Sequence, residues 1–371
     1  MPHLLINALM ASNVTISKRH SAPAEDFLIK SVPMITRTSI SVQAVATANW
    51  PEQLRDAIRD PQLLLKTLGL DSSLLPGATE GHALFSIRVP HAYLARIRHG
   101  DPDDPLLRQV LPIGAETDAI EGFVTDPLAE AEHTPRPGLI HKYRNRVLLI
   151  GSGACAINCR YCFRRHFPYG DNLPSKAQWQ DILDYIRSDS NIIEAILSGG
   201  DPLASSDKRL AWLADELASI THLKRLRIHT RLPVVIPERV DSHLLTWLSR
   251  SRLQKIMVLH INHANEIDDA VRTACLRLKE AGVTLLNQSV ILRGVNDSVP
   301  ALTALSEALF EAGILPYYLH AFDPVAGAAH FDVGDDEAIA LVDALRAELP
   351  GFLMPRLVRE IPGEHSKTPL F

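Results

Sequence analysis

Three cysteines, Cys155, Cys159 and Cys162, fall within eight residues of a 371-residue chain that has four cysteines in all. Thiolates so close together can share one metal centre, and their softness favours zinc or iron with sulfide. A closed structural zinc site takes four protein ligands. No further His or Cys stands beside the three at a matching spacing, which leaves His141 or His166 to complete a zinc knuckle. An iron-sulfur cube on three cysteines instead leaves one iron open to a small molecule. A second pattern is Ser198-Gly199-Gly200-Asp201-Pro202-Leu203, where paired glycines after a strand let backbone approach a ligand. A third is the series His229, Arg231, His260, Asn262, His263, Asn287, Gln288 and Asp323, each at the end of an expected strand. Lys367, in the run Arg359-Glu360-Ile361-Pro362-Gly363-Glu364-His365-Ser366-Lys367, is a candidate amine nucleophile.

Elements of two periods would position these groups. Short apolar runs at 146–150, 194–197, 225–229, 255–260, 284–290 and 315–319 read as strands, and the stretches 175–188, 207–219, 240–249, 267–281 and 299–312 as amphipathic helices between them. Six β/α units in series predict parallel strands with right-handed crossovers: an open or closed barrel, or a doubly wound sheet. Every polar cluster follows a strand, which is where barrel enzymes keep their chemistry. Ahead of the units, Leu54 to Leu70, Pro90 to Ile97 and Pro105 to Pro112 predict a small helical region, and the Asp, Glu, Pro and Gly of 113–140 predict a long surface connection. Cys275 shares an amphipathic segment with Val271 and Leu278 and reads as a buried thiol.

The composition bounds the rest. With 46% hydrophobic and 22% charged residues the chain suits a large soluble core, and a net charge of -5 exerts no general pull toward nucleic acid or membranes. Clustered cysteines do not make a disulfide framework, so a reducing, cytoplasmic setting is expected. No membrane span is expected, and no basic residue precedes the first apolar run as a signal peptide would require. Residues 1–44 read as a variable or disordered extension, with Met34 as an alternative start.

Cys-x3-Cys-x2-Cys with Tyr161 before the third cysteine resembles the signature of radical S-adenosylmethionine (SAM) enzymes. The end of the chain, with His141-Lys142-Tyr143-Arg144-Asn145-Arg146, the segment His260 to Glu266, Asn287-Gln288 and Pro316-Tyr317-Tyr318, is similar to the lysine 2,3-aminomutase family. Phe163 to Tyr169, Asp104 to Val110 and Gly327 to Phe331 resemble its short bacterial branch, which acts in β-lysylation of elongation factor P.

The resemblance implies a partial (β/α)6 TIM-like barrel over 131–340, after a helical region at 45–130 and before a C-terminal segment at 341–371 that carries a pyridoxal phosphate lysine. It implies an isomerase converting (S)-α-lysine to (R)-β-lysine, with a 4Fe-4S cluster on Cys155, Cys159 and Cys162, SAM on the open iron, and a Schiff base between pyridoxal 5'-phosphate and Lys367. By position, Ser198, Gly199, Gly200 and Asp201 would meet the methionyl amino group of SAM, and His260 and Gln288 would line the SAM and cofactor cavity. Lys142 and Arg146 would bind the cofactor phosphate, Arg164 the substrate carboxylate, and Asp323 with Glu360 the distal ammonium. The implied partners are lysine, an electron donor such as flavodoxin, and elongation factor P with its β-lysine ligase. Two positions depart from the free-lysine enzymes: Glu360 replaces an aspartate, and Ser298 replaces a zinc cysteine, so no structural zinc is expected. A radical SAM enzyme without pyridoxal phosphate and a noncatalytic iron-sulfur or zinc interaction module are the other readings of the motifs.

Overall fold

The computed structural model describes residues 49–370. The expectations for the first 44 residues, Met34 included, lie outside the described residues. Nine strands form one sheet in sequence order: β1 Leu139–Tyr143, β2 Arg146–Ser152, β3 Glu194–Gly199, β4 Arg225–Thr230, β5 Gln254–His260, β6 Val283–Val290, β7 Leu315–His320, β8 Arg356–Arg359 and β9 Thr368–Pro369. Strands β2 to β8 are parallel, and β1 and β9 pair antiparallel to their neighbours. The sheet therefore begins and ends at edges, and the architecture is a partial barrel, as expected. The six expected strands are β2 to β7; β8 extends the parallel run beyond them.

Helices cover the outer face. In Lys176–Ser188 the buried residues Trp179, Ile182, Leu183 and Ile186 recur at helical spacing, and Ser175 with Gln178 closes a capping box at its start. Within β4 the two periods separate cleanly: Leu226, Ile228 and Thr230 are buried, whereas Arg225, Arg227 and His229 face the concave side and line its cavity. Cys275 is fully buried among the apolar side chains of Asp269–Glu280, which pushes its thiol up to about 12.

The region before the barrel is helical in short pieces. Pro61–Leu68 buries Leu64, Leu65 and Leu68 and ends at Gly69, whose φ of 63° and contact with the His99 ring exclude a side chain. The helix expected from Pro90 to Ile97 is confined to His91–Leu94, and Leu75–Leu84 is a helix that the apolar pattern did not announce. The stretch 113–140 is largely an exposed, irregular connection, as expected, but it also reaches inward. Glu116 and Glu130 are buried, Glu116 paired with Arg160 and Arg165 and Glu130 with Arg164, all on the cysteine loop. Among the described residues no helix is long and apolar enough to cross a membrane.

Candidate active site

A cavity of about 500 Å³ occupies the concave face of the sheet. Cys155, Cys159 and Cys162 lie on the loop after β2 and line it together with Ser198, Gly199, Gly200 and Asp201 after β3. Lys142 on β1, Arg146 on β2 and Arg164 beyond the cysteines line it as well. So do His260 on β5, Gln288 on β6, Asp323 after β7, and Glu360 and Lys367 from the last segment. The structure thus brings these residues, with His229 and Arg231 of the strand-end series, to one space, and leaves Asn262, His263 and Asn287 of that series outside it. Burial pushes the Cys155 thiol up, with Cys162 adding to the shift, and takes Cys162 to about 11. His141 and His166 do not complete a metal site: His141 Nδ1 meets Tyr185 Oη at 2.8 Å, and His166 Nε2 meets the Ala326 carbonyl at 3.0 Å. Among the described residues no three His, Cys, Asp or Glu side chains are grouped to hold a single ion.

The glycine motif is built for contact with the cysteine loop. Gly200 N donates to Ser152 O and Asp201 N to Ala154 O, both at 2.8 Å. A Cβ at Gly199, where φ is 116°, would come within 2.6 Å of Ser152 O, and one at Gly200 within 2.7 Å of Ala154 O. Asp201 ties this turn to the next strand end, accepting from Thr230 Oγ1 at 2.6 Å, Arg231 N at 2.8 Å and Leu232 N at 2.9 Å. Its carboxylate is therefore engaged within the protein, where it fixes the path of the chain after β4.

Two buried carboxylates anchor the arginines around the cysteines. Glu116 accepts from Arg160 Nε at 2.8 Å, from Arg160 Nη2, and from Arg165 Nη2 at 2.7 Å. Glu130 takes the Nε and Nη2 edge of Arg164 at 2.8 and 2.7 Å. Arg164 Nη1 then points to Ser198 Oγ at 3.1 Å, on the cavity side. The whole guanidinium fork is not free for a carboxylate; one nitrogen faces the cavity and the other edge is spent on Glu130.

In the same cavity Lys367 Nζ donates to Glu360 Oε2 at 2.7 Å, and Lys142 Nζ donates to Glu360 Oε1 at 3.2 Å. Burial alone would raise the Glu360 carboxyl, but the two lysines outweigh it and hold it at about 2. Asp323 has no such close cation, and burial pushes it up to about 6 against the opposing pull of Lys367. Lys367 also stands 5.9 Å from the centroid of the Tyr318 ring, and Arg146 lies 4.1 Å from that of Tyr143. His260 and Gln288 are register partners on β5 and β6 and meet through their Nε2 atoms at 2.8 Å. Burial depresses His260 to about 3, and drives His229 and His320 well below the usual histidine range. The shifts favour the neutral imidazole in all three; His260 bonds Gln288, whereas His229 Nε2 and His320 Nε2 are buried without a hydrogen-bond partner.

Asn262, His263 and Asn287 do not line the cavity. Asn287 bridges β5 and β6, accepting from Ile261 N and donating to Ile261 O, both at 3.0 Å, and Asn262 Oδ1 accepts from Val290 N at 2.9 Å. They brace the strand ends. Sequence reasoning passed over Glu116 and Glu130 for want of any local spacing signal. It also missed Glu194, which pairs with Arg225 at 3.3 Å and with Arg227 at the cavity's other end. Alternation on β4 carried a usable signal for the last two.

No protein-family model matches the chain. It is 51% identical to the L-lysine 2,3-aminomutase of Escherichia coli (strain K12) over 333 residues, 89% of this chain and 97% of that protein. It is also 51% identical to the L-lysine 2,3-aminomutase of Haemophilus influenzae over 320 residues, 86% of this chain and 95% of that one. Among solved structures, a radical SAM methyltransferase from Sphaerobacter thermophilus aligns at 17% identity over 60% of this chain and 68% of that one, with a TM-score of 0.42. That likeness is too distant to weigh on fold or activity.

Proposed function

The chain belongs to the L-lysine 2,3-aminomutase family and is an isomerase, and from this we propose that it moves the α-amino group of lysine to C3 by radical SAM chemistry with pyridoxal phosphate, yielding (R)-β-lysine. The observation that carries this reading is the meeting of the three cysteines, Gly199-Gly200 and Lys367 in one cavity, although more than half the length of the barrel sequence separates them. When bound, the cluster supplies the electron that cleaves SAM to a 5'-deoxyadenosyl radical, and pyridoxal phosphate supplies the conjugated system that stabilises the migrating centre.

The donor sets suit these groups. Cys155, Cys159 and Cys162 would hold three irons of the cluster, and the tight turn at Gly199 and Gly200, which lines the same cavity, would offer backbone groups to the ligand of the open iron. Ser198, His260 and Gln288 are uncharged donors and acceptors fit to hold SAM without competing for its charge. Lys367 is the amine for pyridoxal phosphate, with Lys142 and Arg146 on the wall where its phosphate would lie. The position of Lys367 in the cavity favours this reading over a radical SAM enzyme without pyridoxal phosphate.

Substrate lysine has a charge at each end, and the cavity has a complement for each. Arg164 Nη1 would take the carboxylate, oriented by Glu130. Asp323 and Glu360 would take the distal ammonium, and fixing both ends would aim C3 at the adenosyl carbon. The likeness of Phe163 to Tyr169 and of Gly327 to Phe331 to the short bacterial branch supports transfer of the product to a ligase acting on elongation factor P. The test is anaerobic incubation with lysine, SAM, pyridoxal phosphate and a reductant, with chiral analysis of the product. Formation of (R)-β-lysine is expected; no β-lysine from either free or protein-bound lysine overturns the reading.

A further inference from the structure

Arg231 is a buried cation that substrate binding does not use. Its Nη1 donates to Cys159 Sγ at 2.8 Å. Among the described residues it is the side chain that donates to a cysteine sulfur. Its Nη2 is held by Gln109 Oε1 at 2.6 Å, Glu266 Oε2 at 2.8 Å and Tyr93 Oη at 3.3 Å. Glu266 is fully buried, and its other oxygen accepts from Asn262 N at 2.9 Å and His263 N at 3.2 Å. The Arg231 backbone N–H is bonded in turn to Asp201. The guanidinium is therefore fixed from three elements, with one donor aimed at the Cys159 sulfur.

We infer that Arg231, oriented and partly neutralised by Glu266, sets the reduction potential of the cluster through its hydrogen bond to Cys159. This deepens the function proposed above and rests on its reading of Cys155, Cys159 and Cys162 as cluster ligands. Hydrogen bonds to cluster sulfurs and the local charge are among the levers that set such potentials. One-electron reduction by an external low-potential donor adds one negative charge to the cluster, and a cationic donor at the sulfur favours that reduced form. Glu266 opposes the effect through its own charge while holding the donor in place. Arg231 and Glu266 are thus a tuning pair of opposite sign, acting on the cluster and touching neither substrate nor the reacting carbon.

The test is an equilibrium redox titration of the full-length, anaerobically reconstituted protein, read by the electron paramagnetic resonance signal of the reduced cluster. Glu266→Gln keeps the donor and removes the opposing charge. Its reduced-to-oxidised ratio at a fixed potential is expected to rise about tenfold, a midpoint shift of ~59 mV upward for one electron. Adding Arg231→Gln to that variant removes the donor without stranding a buried carboxylate, and the ratio is expected to fall at least about tenfold below that of the single variant. A purely structural pair would change iron and sulfide content without these opposed shifts. An unchanged or lowered midpoint in Glu266→Gln overturns the inference, and that variant decides the matter if the double variant fails to fold. Reconstituted wild-type protein with no iron-sulfur signal sinks the cluster reading itself, a separate failure.

Discussion

Lys367 and Glu360 stand seven residues apart in sequence and 2.7 Å apart in space, with the ammonium donating to a carboxylate that Lys142 also holds. Glu360 is depressed to about 2 although its burial acts the other way, so in the folded protein it stays ionised well below the ordinary carboxylate range. Its folded pKa is below the unfolded value, so its contribution to stability is full above about 4.5 and is lost as pH falls toward 2. Glu360→Gln is expected to cost ~2 kcal/mol at neutral pH, less than the ~3–5 kcal/mol of breaking a fully buried pair. Urea unfolding at pH 7 and at pH 4 checks it: the gap between wild type and variant should narrow at the lower pH.

Lys367→Ala should abolish the visible absorbance of bound pyridoxal phosphate and lysine turnover together, while iron content and the cluster signal remain at wild-type levels. Absorbance spectra and iron analysis on the same preparation decide it. Retention of the cofactor band in the variant would assign the amine role to another residue, Lys142 being the nearest on the same carboxylate.

Asp323 brings a pH dependence. Burial raises it to about 6, so it is protonated below that pH and a carboxylate above it. In the proposed function Asp323 must be a carboxylate to hold the distal ammonium, and kcat/KM reports groups of the free enzyme. It should therefore fall about tenfold per unit as pH drops below ~6. Asp323→Asn should remove this acidic limb and raise KM for lysine roughly 10–100-fold, the worth of a charge-assisted hydrogen bond. A limb that persists in the variant would assign the titration to another group.

The barrel was legible because two periods alternate without interruption: the six expected strands and five expected helices end within two residues of their observed limits. The rest lacked that signal. Strand β1 is short, and its polar residues obscure any alternation: Lys142 and Tyr143 line the cavity while His141 bonds Tyr185. Strand β9 is two residues long, and it exists because Thr368 and Pro369 pair with Arg359 and Val358, which places Lys367 at the cavity wall. At the site, motif residues could be read because their chemistry demands a spacing. Glu116 could not: it meets Arg160 across 44 residues, a separation set by the fold alone. Asn287, read as a site residue, turned out to be a brace, since polar side chains at strand ends also satisfy backbone groups where a ladder stops.

Glu116 and Glu130 make a paired prediction, since both come from the same loop yet hold different arginines. The Glu116 side chain is fully buried and pairs with Arg160 and Arg165, which flank Cys162. Glu116→Gln strands two buried cations, so a loss of ~3–5 kcal/mol is expected, with less iron bound per chain because the cysteine loop loses its anchor. Glu130 pairs with Arg164, whose remaining nitrogen faces the cavity. Glu130→Gln frees that guanidinium to swing from Ser198, and should raise KM for lysine about tenfold with iron content unchanged. Iron analysis, urea unfolding and KM measured on both variants separate the roles. Equal iron loss in the two would mean that both carboxylates serve the loop and that neither orients the substrate arginine.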